Sequence, residues 1–155
     1  MDYRKQLDEA LAIAKDTKSF EFGNDVLGLA PELFRKNFGE KAALVVADNN
    51  TWKAAGEAVT KHIQDAGIEC RTYIFPEEEF HAEFEFVDRV DKILDSYDAI
   101  PVAVGSGVIN DLCKLAAFHH EKPYMVVATA ASVDGYASSG AVVTKGGAKI
   151  NIETH

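Results

Sequence analysis

The chain has 155 residues, 47% of them hydrophobic and 26% charged, a balance typical of a single soluble globular domain with a real core. Its formal net charge of −9 argues against nucleic-acid binding, because phosphate contacts need clustered lysines and arginines. No apolar run approaches the roughly 18 residues of a membrane-spanning helix, and the N-terminus lacks a secretory pattern, so we expect a cytoplasmic protein without membrane contact.

The N-terminal part of the chain predicts two helices separated by a short extended segment. Apolar residues at helical spacing indicate an amphipathic helix over residues 2–16. The segment SFEFGNDVLG, residues 19–28, is interpreted as a short edge strand and turn. The next segment, APELFRKNFG, predicts a helix with Pro31 in its first turn and Gly39 as its C-terminal stop.

Beyond this point, apolar strands alternate with single helices. Four apolar runs predict buried strands: KAALVVA (41–47), ECRTYIF (69–75), AIPVAVG (99–105) and YMVVAT (124–129). Helices are predicted between them, over 52–66, within 76–97 and over 108–121. Strands joined by single helices form βαβ units. We therefore expect an α/β fold with a Rossmann-like, mainly parallel sheet and helices on both faces.

Three local details complete this prediction. Thr51 is the expected N-cap of the first crossover helix, and Gly67 is expected to end it. The second crossover helix should bury an apolar face made of Phe86, Val90, Ile93 and Leu94. The last segment, SGAVVTKGGAKINIE (139–153), has two alternating runs around Lys-Gly-Gly, a pattern that predicts a C-terminal β-hairpin.

Cysteine and histidine patterns argue against a metal site made wholly within this chain. Cys70 and Cys113 fall in a predicted strand and a predicted helix and form no Cys-x-x-Cys pair, so we expect buried thiols. The histidines show no metal-ligand spacing. No residue stands out as an acid–base catalyst either.

Polar and small residues follow three of the predicted strands, in loops 48–51, 105–107 and 129–138. The carboxyl ends of parallel strands meet at one edge of the sheet, where α/β proteins bind ligands. The convergence of these three loops therefore predicts a ligand site at that edge.

Each loop also has a purely structural interpretation. Gly105 and Gly107 suit a backbone cradle for a phosphate, but also a tight turn between strand and helix. Asn110 stands where the usual dinucleotide fingerprint has its third glycine. Asp48 is placed either to accept hydrogen bonds from a ribose or to cap the helix that follows. Loop 129–138 is long for a simple connection, so its hydroxyls and carboxylate either contact a ligand or face solvent.

Residues 102–150 are similar to the sn-glycerol-1-phosphate dehydrogenases, which group with the iron-containing alcohol dehydrogenases, glycerol dehydrogenases and dehydroquinate synthases. Two motifs carry the resemblance, Gly-Ser-Gly-x-x-Asn-Asp from Gly105 and Thr-Ala-x-Ser-x-Asp-Gly-Tyr-x-Ser from Thr129. The similarity continues more loosely upstream to the strand before Asp48. It favours the phosphate interpretation of the glycine loop.

The resemblance also implies site residues. The cofactor-binding glycine loop, Gly105, Ser106 and Gly107 with Asn110 and Asp111 behind it, would receive the pyrophosphate of NAD or NADP. Asp48 would meet the adenosine ribose. Further cofactor contacts would come from Thr129, Ser132 and Ser138. Asp134 would lie beside the nicotinamide and the hydroxyl groups of the substrate.

In that family a second, all-helical domain holds an aspartate and two histidines that bind zinc, iron or nickel. We therefore expect residues 1–155 to be the NAD(P)-binding domain alone, inactive by itself, with the divalent metal bound only in the missing domain. The expected substrate is a small molecule, glycerol phosphate or another polyol. The alternatives are a glycerol or other metal-dependent alcohol dehydrogenase domain, or a non-catalytic nucleotide-binding module. The sequence leaves open whether the protein forms a homo-oligomer.

Overall fold

The computed structural model describes residues 2–79, 81–129, 140–145 and 148–153. The helices are α1 (Tyr3–Ile13), α2 (Ala30–Phe38), α3 (Asn49–Thr51, a π-helical turn at Trp52–Gly56, and Glu57–Asp65), α4 (Phe84–Ser96) and α5 (Gly107–His119). The strands are β1 (Ala42–Asp48), β2 (Cys70–Phe75), β3 (Ala99–Gly105), β4 (Met125–Ala128), β5 (Gly140–Lys145) and β6 (Ala148–Glu153).

Four of these strands form one parallel sheet in the order β2-β1-β3-β4. The two central strands are almost wholly buried, as their unbroken apolar runs predict for a sheet covered on both faces. The Rossmann-like α/β prediction is confirmed, and each of its four strands begins and ends within a residue or two of the predicted bounds.

The two faces of the sheet carry separate apolar cores because successive strand residues point to opposite sides. Leu44 and Val46 of β1 face α4 and α5 in one core. Val45 of β1 faces α2 and α3 in the other. The predicted apolar face of α4 is buried at Phe86, Val90 and Leu94, whereas Ile93 is only partly buried against the core.

The predicted edge strand within residues 19–28 is wrong. This segment has no strand, and Val26–Leu29 form a 3-10 turn. Phe20 and Phe22, whose alternation with polar residues resembles a strand, are 49% and 48% exposed. An alternating pattern makes a strand only where a sheet edge pairs with it. Neither edge strand of the described sheet pairs with this segment.

The hairpin prediction is confirmed. β5 and β6 pair antiparallel from Gly140 opposite Glu153 to Lys145 opposite Ala148 and form a separate two-stranded sheet. β5 runs beside α5, so the hairpin lies near the helix that follows the glycine loop. Among the described helices, none combines the length and apolar character that a membrane crossing requires.

Candidate functional site

The strand order places a topological switch point between β1 and β3. From β1 the chain crosses outward to β2, and from β3 it crosses in the opposite direction to β4. The two helices that follow β1 and β3 therefore leave on opposite faces of the sheet and open a crevice at the carboxyl ends of the strands. Ligands of open parallel sheets bind in such a crevice.

The junction from β1 to α3 is closed by reciprocal hydrogen bonds. Asp48 is the N-cap residue, and its Oδ1 accepts a hydrogen bond of 2.8 Å from the backbone N–H of Thr51. In return, Thr51 Oγ1 accepts one of 3.0 Å from the backbone N–H of Asp48. The prediction of Thr51 as N-cap is therefore wrong. Asp48 holds that position because its extended backbone lets the carboxylate reach the third residue of the helix.

The junction from β3 to α5 requires a glycine at position 105, because there is no space for a side chain. A Cβ atom at Gly105 would lie 2.8 Å from Cβ and Cγ1 of Ile109, which is 1% exposed in the first turn of α5. Gly105 thus permits the close approach of helix and strand, whatever ligand is bound. Its carbonyl oxygen accepts a hydrogen bond of 3.1 Å from Thr129 N–H, which ties the end of β4 to the glycine loop.

The N-terminus of α5 differs from that of α3 because its N-cap side chain is not used. Ser106 stands at the N-cap position but makes no side-chain hydrogen bond to the helix. Gly107 and Val108 then begin the first turn, where backbone N–H groups have no intrahelical acceptor. Such a turn, at the positive end of the helix dipole, suits an anionic ligand.

Asn110 lies behind this loop and serves the core. It is 1% exposed, and its Oδ1 accepts a hydrogen bond of 2.8 Å from the hydroxyl of Tyr124, just before β4. Burial raises the pKa of that tyrosine hydroxyl, so it stays a donor. Asp111 is the next residue of α5. Burial lowers the pKa of Lys114, and the nearby Asp111 carboxylate opposes this shift because it favours the charged ammonium form.

These junctions border a cavity of about 580 Å³, within the range of small-molecule sites. Its described lining residues are Asp48, Asn49, Asn50, Lys53, Glu77, Glu78, Ser106 and Val108. The cavity therefore joins the carboxyl ends of β1, β2 and β3. The parallel strands β1 and β3, paired as far as Val46 opposite Ala103, end at Asp48 and Gly105 on the same edge of the sheet.

The wall beyond β2 is held by an arginine on α4. Arg89 donates to Glu77 and, over 2.9 Å, to Glu85, and its guanidinium lies 4.9 Å from the ring centre of Phe86. The hydrogen bond from Arg89 lowers the pKa of Glu77, so this carboxylate stays ionised. Asn49 Nδ2 also donates to the carbonyl of Pro76 over 3.4 Å, which links this wall to the start of α3.

The structure brings together Asp48, Gly105, Ser106, Gly107 and Thr129 at one edge of the sheet. Ser132, Asp134 and Ser138 lie outside the described residues. Within the described part of the chain, no three histidine, cysteine or acidic side chains are grouped to hold a metal ion.

Sequence reasoning missed the cavity residues Lys53, Glu77 and Glu78. The two glutamates follow β2, so the rule that placed the other loops at the carboxyl edge applied to them as well. Lys53 gave no such signal, because it lies within a helix and not in a loop that ends a strand.

A family model described as iron-containing alcohol dehydrogenase matches residues 21–155. The curated glycerol-1-phosphate dehydrogenase (NAD(P)+) of Halalkalibacterium halodurans is 31% identical over 141 residues, which cover 86% of this chain and 34% of that protein. The enzyme of the same name from Methanosarcina mazei is 38% identical over 112 residues, which cover 72% of this chain and 30% of that protein. The chain thus spans about a third of the length of these curated relatives.

Solved structures share the fold. The maleylacetate reductase of Rhizobium sp. strain MTP-10005 superposes with a TM-score of 0.71 and 22% identity over 85% of this chain and 36% of that chain. At this identity the similarity shows the fold alone.

Proposed function

The chain belongs to the iron-containing alcohol dehydrogenase family, and from that premise we propose that the cavity between β1 and β3 binds NAD or NADP. One observation carries the proposal: neighbouring strands β1 and β3 end at Asp48 and Gly105 at the switch point, and Asp48 and Ser106 line the same cavity. Dinucleotide sites in parallel sheets use this pairing of an acidic residue with a glycine-rich turn. Here the glycine turn follows β3, the third strand of the chain, but β3 lies next to β1, the strand that ends at Asp48.

The pyrophosphate fits the N-terminus of α5. Ser106 leaves the first-turn N–H groups uncapped, and Gly107 adds no side chain between them and the cavity. Backbone N–H groups at a helix start bind phosphates through hydrogen bonds and the helix dipole. Asn110 and Asp111 support this loop from the next turn, Asn110 through its hydrogen bond from Tyr124.

The adenosine ribose fits beside Asp48. The helix cap uses Oδ1 of this carboxylate, and the side chain also lines the cavity. Oδ2 can therefore accept a hydrogen bond from a ribose hydroxyl without loss of the cap. Thr129, Ser132 and Ser138 are assigned to further cofactor contacts, and Asp134 to the substrate hydroxyls, on the resemblance of their motif.

The reaction we assign to the complete protein is the interconversion of sn-glycerol 1-phosphate and dihydroxyacetone phosphate. When bound, the nicotinamide cofactor supplies or accepts the hydride. The residues of this chain bind and orient the dinucleotide, and no proton-transfer role is assigned to any of them. We place the divalent metal, zinc, iron or nickel, in a helical domain outside residues 1–155, so this chain alone should not turn over substrate.

Calorimetric titration with NADH tests the cofactor site through Gly107→Val. A branched side chain in the first turn of α5 would obstruct the approach of a pyrophosphate to the backbone. We expect the NADH dissociation constant to rise at least tenfold, about 1.4 kcal/mol, with little change in the thermal midpoint.

Gly28→Val is the matched control. Gly28 lies in the 3-10 turn before α2, and a Cβ there would meet only His62 Cε1 at an ordinary 4.0 Å. It should bind NADH as the unaltered chain does. Unchanged NADH binding in Gly107→Val, or no NADH binding by the unaltered chain, would refute the assignment.

A further inference from the structure

Lys53 is the one positively charged side chain among the described residues that line the cavity. It lies on α3, in the turn that follows the Asp48 cap. None of the ion pairs within the described part of the chain involves it. Its ammonium group is therefore not committed to a carboxylate of the described fold.

The rest of the charged lining is acidic. Asp48, Glu77 and Glu78 border the same cavity, and Glu77 is the one already paired, with Arg89 on α4. Without Lys53, all charged groups among the described lining residues would be carboxylates. Such a surface repels a phosphate monoester, which carries about −1.5 to −2 charges at neutral pH.

The helix geometry that positions Lys53 is unusual. Lys53 lies in the π-helical turn Trp52–Gly56, where an extra residue rotates side chains relative to a regular α-helix. Gly56 permits this turn, since a Cβ there would lie 2.8 Å from Cε3 of the Trp52 ring. Packing of that ring over Gly56 therefore supports the turn that carries Lys53, and π-helical turns of this kind are frequent at functional sites.

We propose that Lys53 binds the 2′-phosphate of NADP and thereby lets this site accept NADP as well as NAD. The inference rests on the proposed function, which puts the adenosine ribose beside Asp48. NAD has a neutral 2′-hydroxyl at this point, which can donate a hydrogen bond to the Asp48 carboxylate. NADP has a phosphate there, which needs a nearby cation to offset the carboxylates, and a lysine supplies a point charge suited to phosphate.

The test compares Lys53→Met with the unaltered chain in separate NADPH and NADH titrations. Methionine keeps most of the length of the side chain but removes its charge. We expect NADPH affinity to fall about tenfold or more, because the variant loses the charge-assisted hydrogen bond to the phosphate. NADH affinity should change less than about threefold, and added salt should weaken NADPH binding more in the unaltered chain than in the variant.

Lys61→Met is the control on the same helix. Lys61 pairs with Asp65 over 2.7 Å and does not line the cavity, so this variant should bind both cofactors normally. Equal losses of NADPH and NADH in Lys53→Met, or no loss of either, would overturn the inference but not the proposed function. So would an unaltered chain that binds NADH but not NADPH. A chain that binds neither cofactor would overturn both.

Discussion

Two strand-to-helix junctions lie side by side at the carboxyl edge of the sheet. They differ in whether a side chain accepts a hydrogen bond from the first backbone N–H groups of the helix. The junction after β1 is closed by the reciprocal bonds between Asp48 and Thr51. The junction after β3 has a serine at the N-cap position whose hydroxyl makes no bond to the helix. Helix N–H groups require acceptors, and at the second junction no side chain of the N-cap residue supplies one. We therefore assign the second junction to the ligand in our proposal.

The comparison also separates two uses of glycine. Gly105 allows helix and strand to pack closely, because Ile109 occupies the space that a side chain would need. Gly107 is the first residue of α5, and we assign it to phosphate binding. In our account, this Gly-x-Gly motif combines one glycine that packing requires with one that we assign to binding.

The largest expected effect on stability is at Gly105. Gly105→Ala forces a Cβ atom against the buried Ile109 side chain, and overpacking of this kind costs about 1 to 3 kcal/mol. The free energy of unfolding, measured by urea denaturation, should fall by that amount. Gly28→Ala, where the nearest atom is 4.0 Å away, should leave it nearly unchanged. Equal stability of the two variants would show that the close packing at Gly105 is not needed.

A smaller loss is expected from the closed junction. Asp48→Ala removes the acceptor for Thr51 N–H, and loss of an N-cap costs about 1 kcal/mol. Asp48→Asn keeps a capping oxygen, so it should retain most of that stability in the same denaturation experiment. If the alanine variant is as stable as the asparagine variant, the cap contributes nothing.

The smallest effect is expected from the open junction. Ser106→Ala removes a hydroxyl that caps no helix N–H group, so the free energy of unfolding should change by less than about 0.5 kcal/mol. The contrast with Asp48→Ala is the direct measure of how the two junctions differ. A loss as large as that of Asp48→Ala would mean that Ser106 caps α5 in solution.

Sequence reasoning recovered the parts of the fold that depend on burial. The β1 and β3 strands were predicted because their apolar runs have to be covered on both faces. The segment around Phe20 was misassigned because strand formation requires a neighbouring strand, which local alternation does not reveal. Thr51 was misassigned because the choice of N-cap depends on where the strand ends, and β1 extends one residue further, to Asp48.

The candidate site was predictable where loops end strands and unpredictable where side chains meet across elements. Asp48 and the glycine loop could be placed at one edge from the βαβ pattern alone. The pairing of Glu77 with Arg89 joins the loop after β2 to α4, twelve residues apart in the chain. The π-helical turn Trp52–Gly56, which contains Lys53, was missed for a different reason: its sequence does not distinguish it from a regular helical turn.

Fluorescence of Trp52 tests the central claim, that the cavity binds a nicotinamide dinucleotide. Trp52 is the only tryptophan of the chain, and it lies in α3 next to the cavity residue Lys53. Tryptophan emission overlaps the absorption of reduced nicotinamide. Bound NADH should therefore quench Trp52 with a saturable dependence on concentration, NADH emission should rise in parallel, and excess NAD should reverse both changes. Quenching that grows without saturation, as for free tryptophan in solution, and that NAD does not reverse would contradict the account.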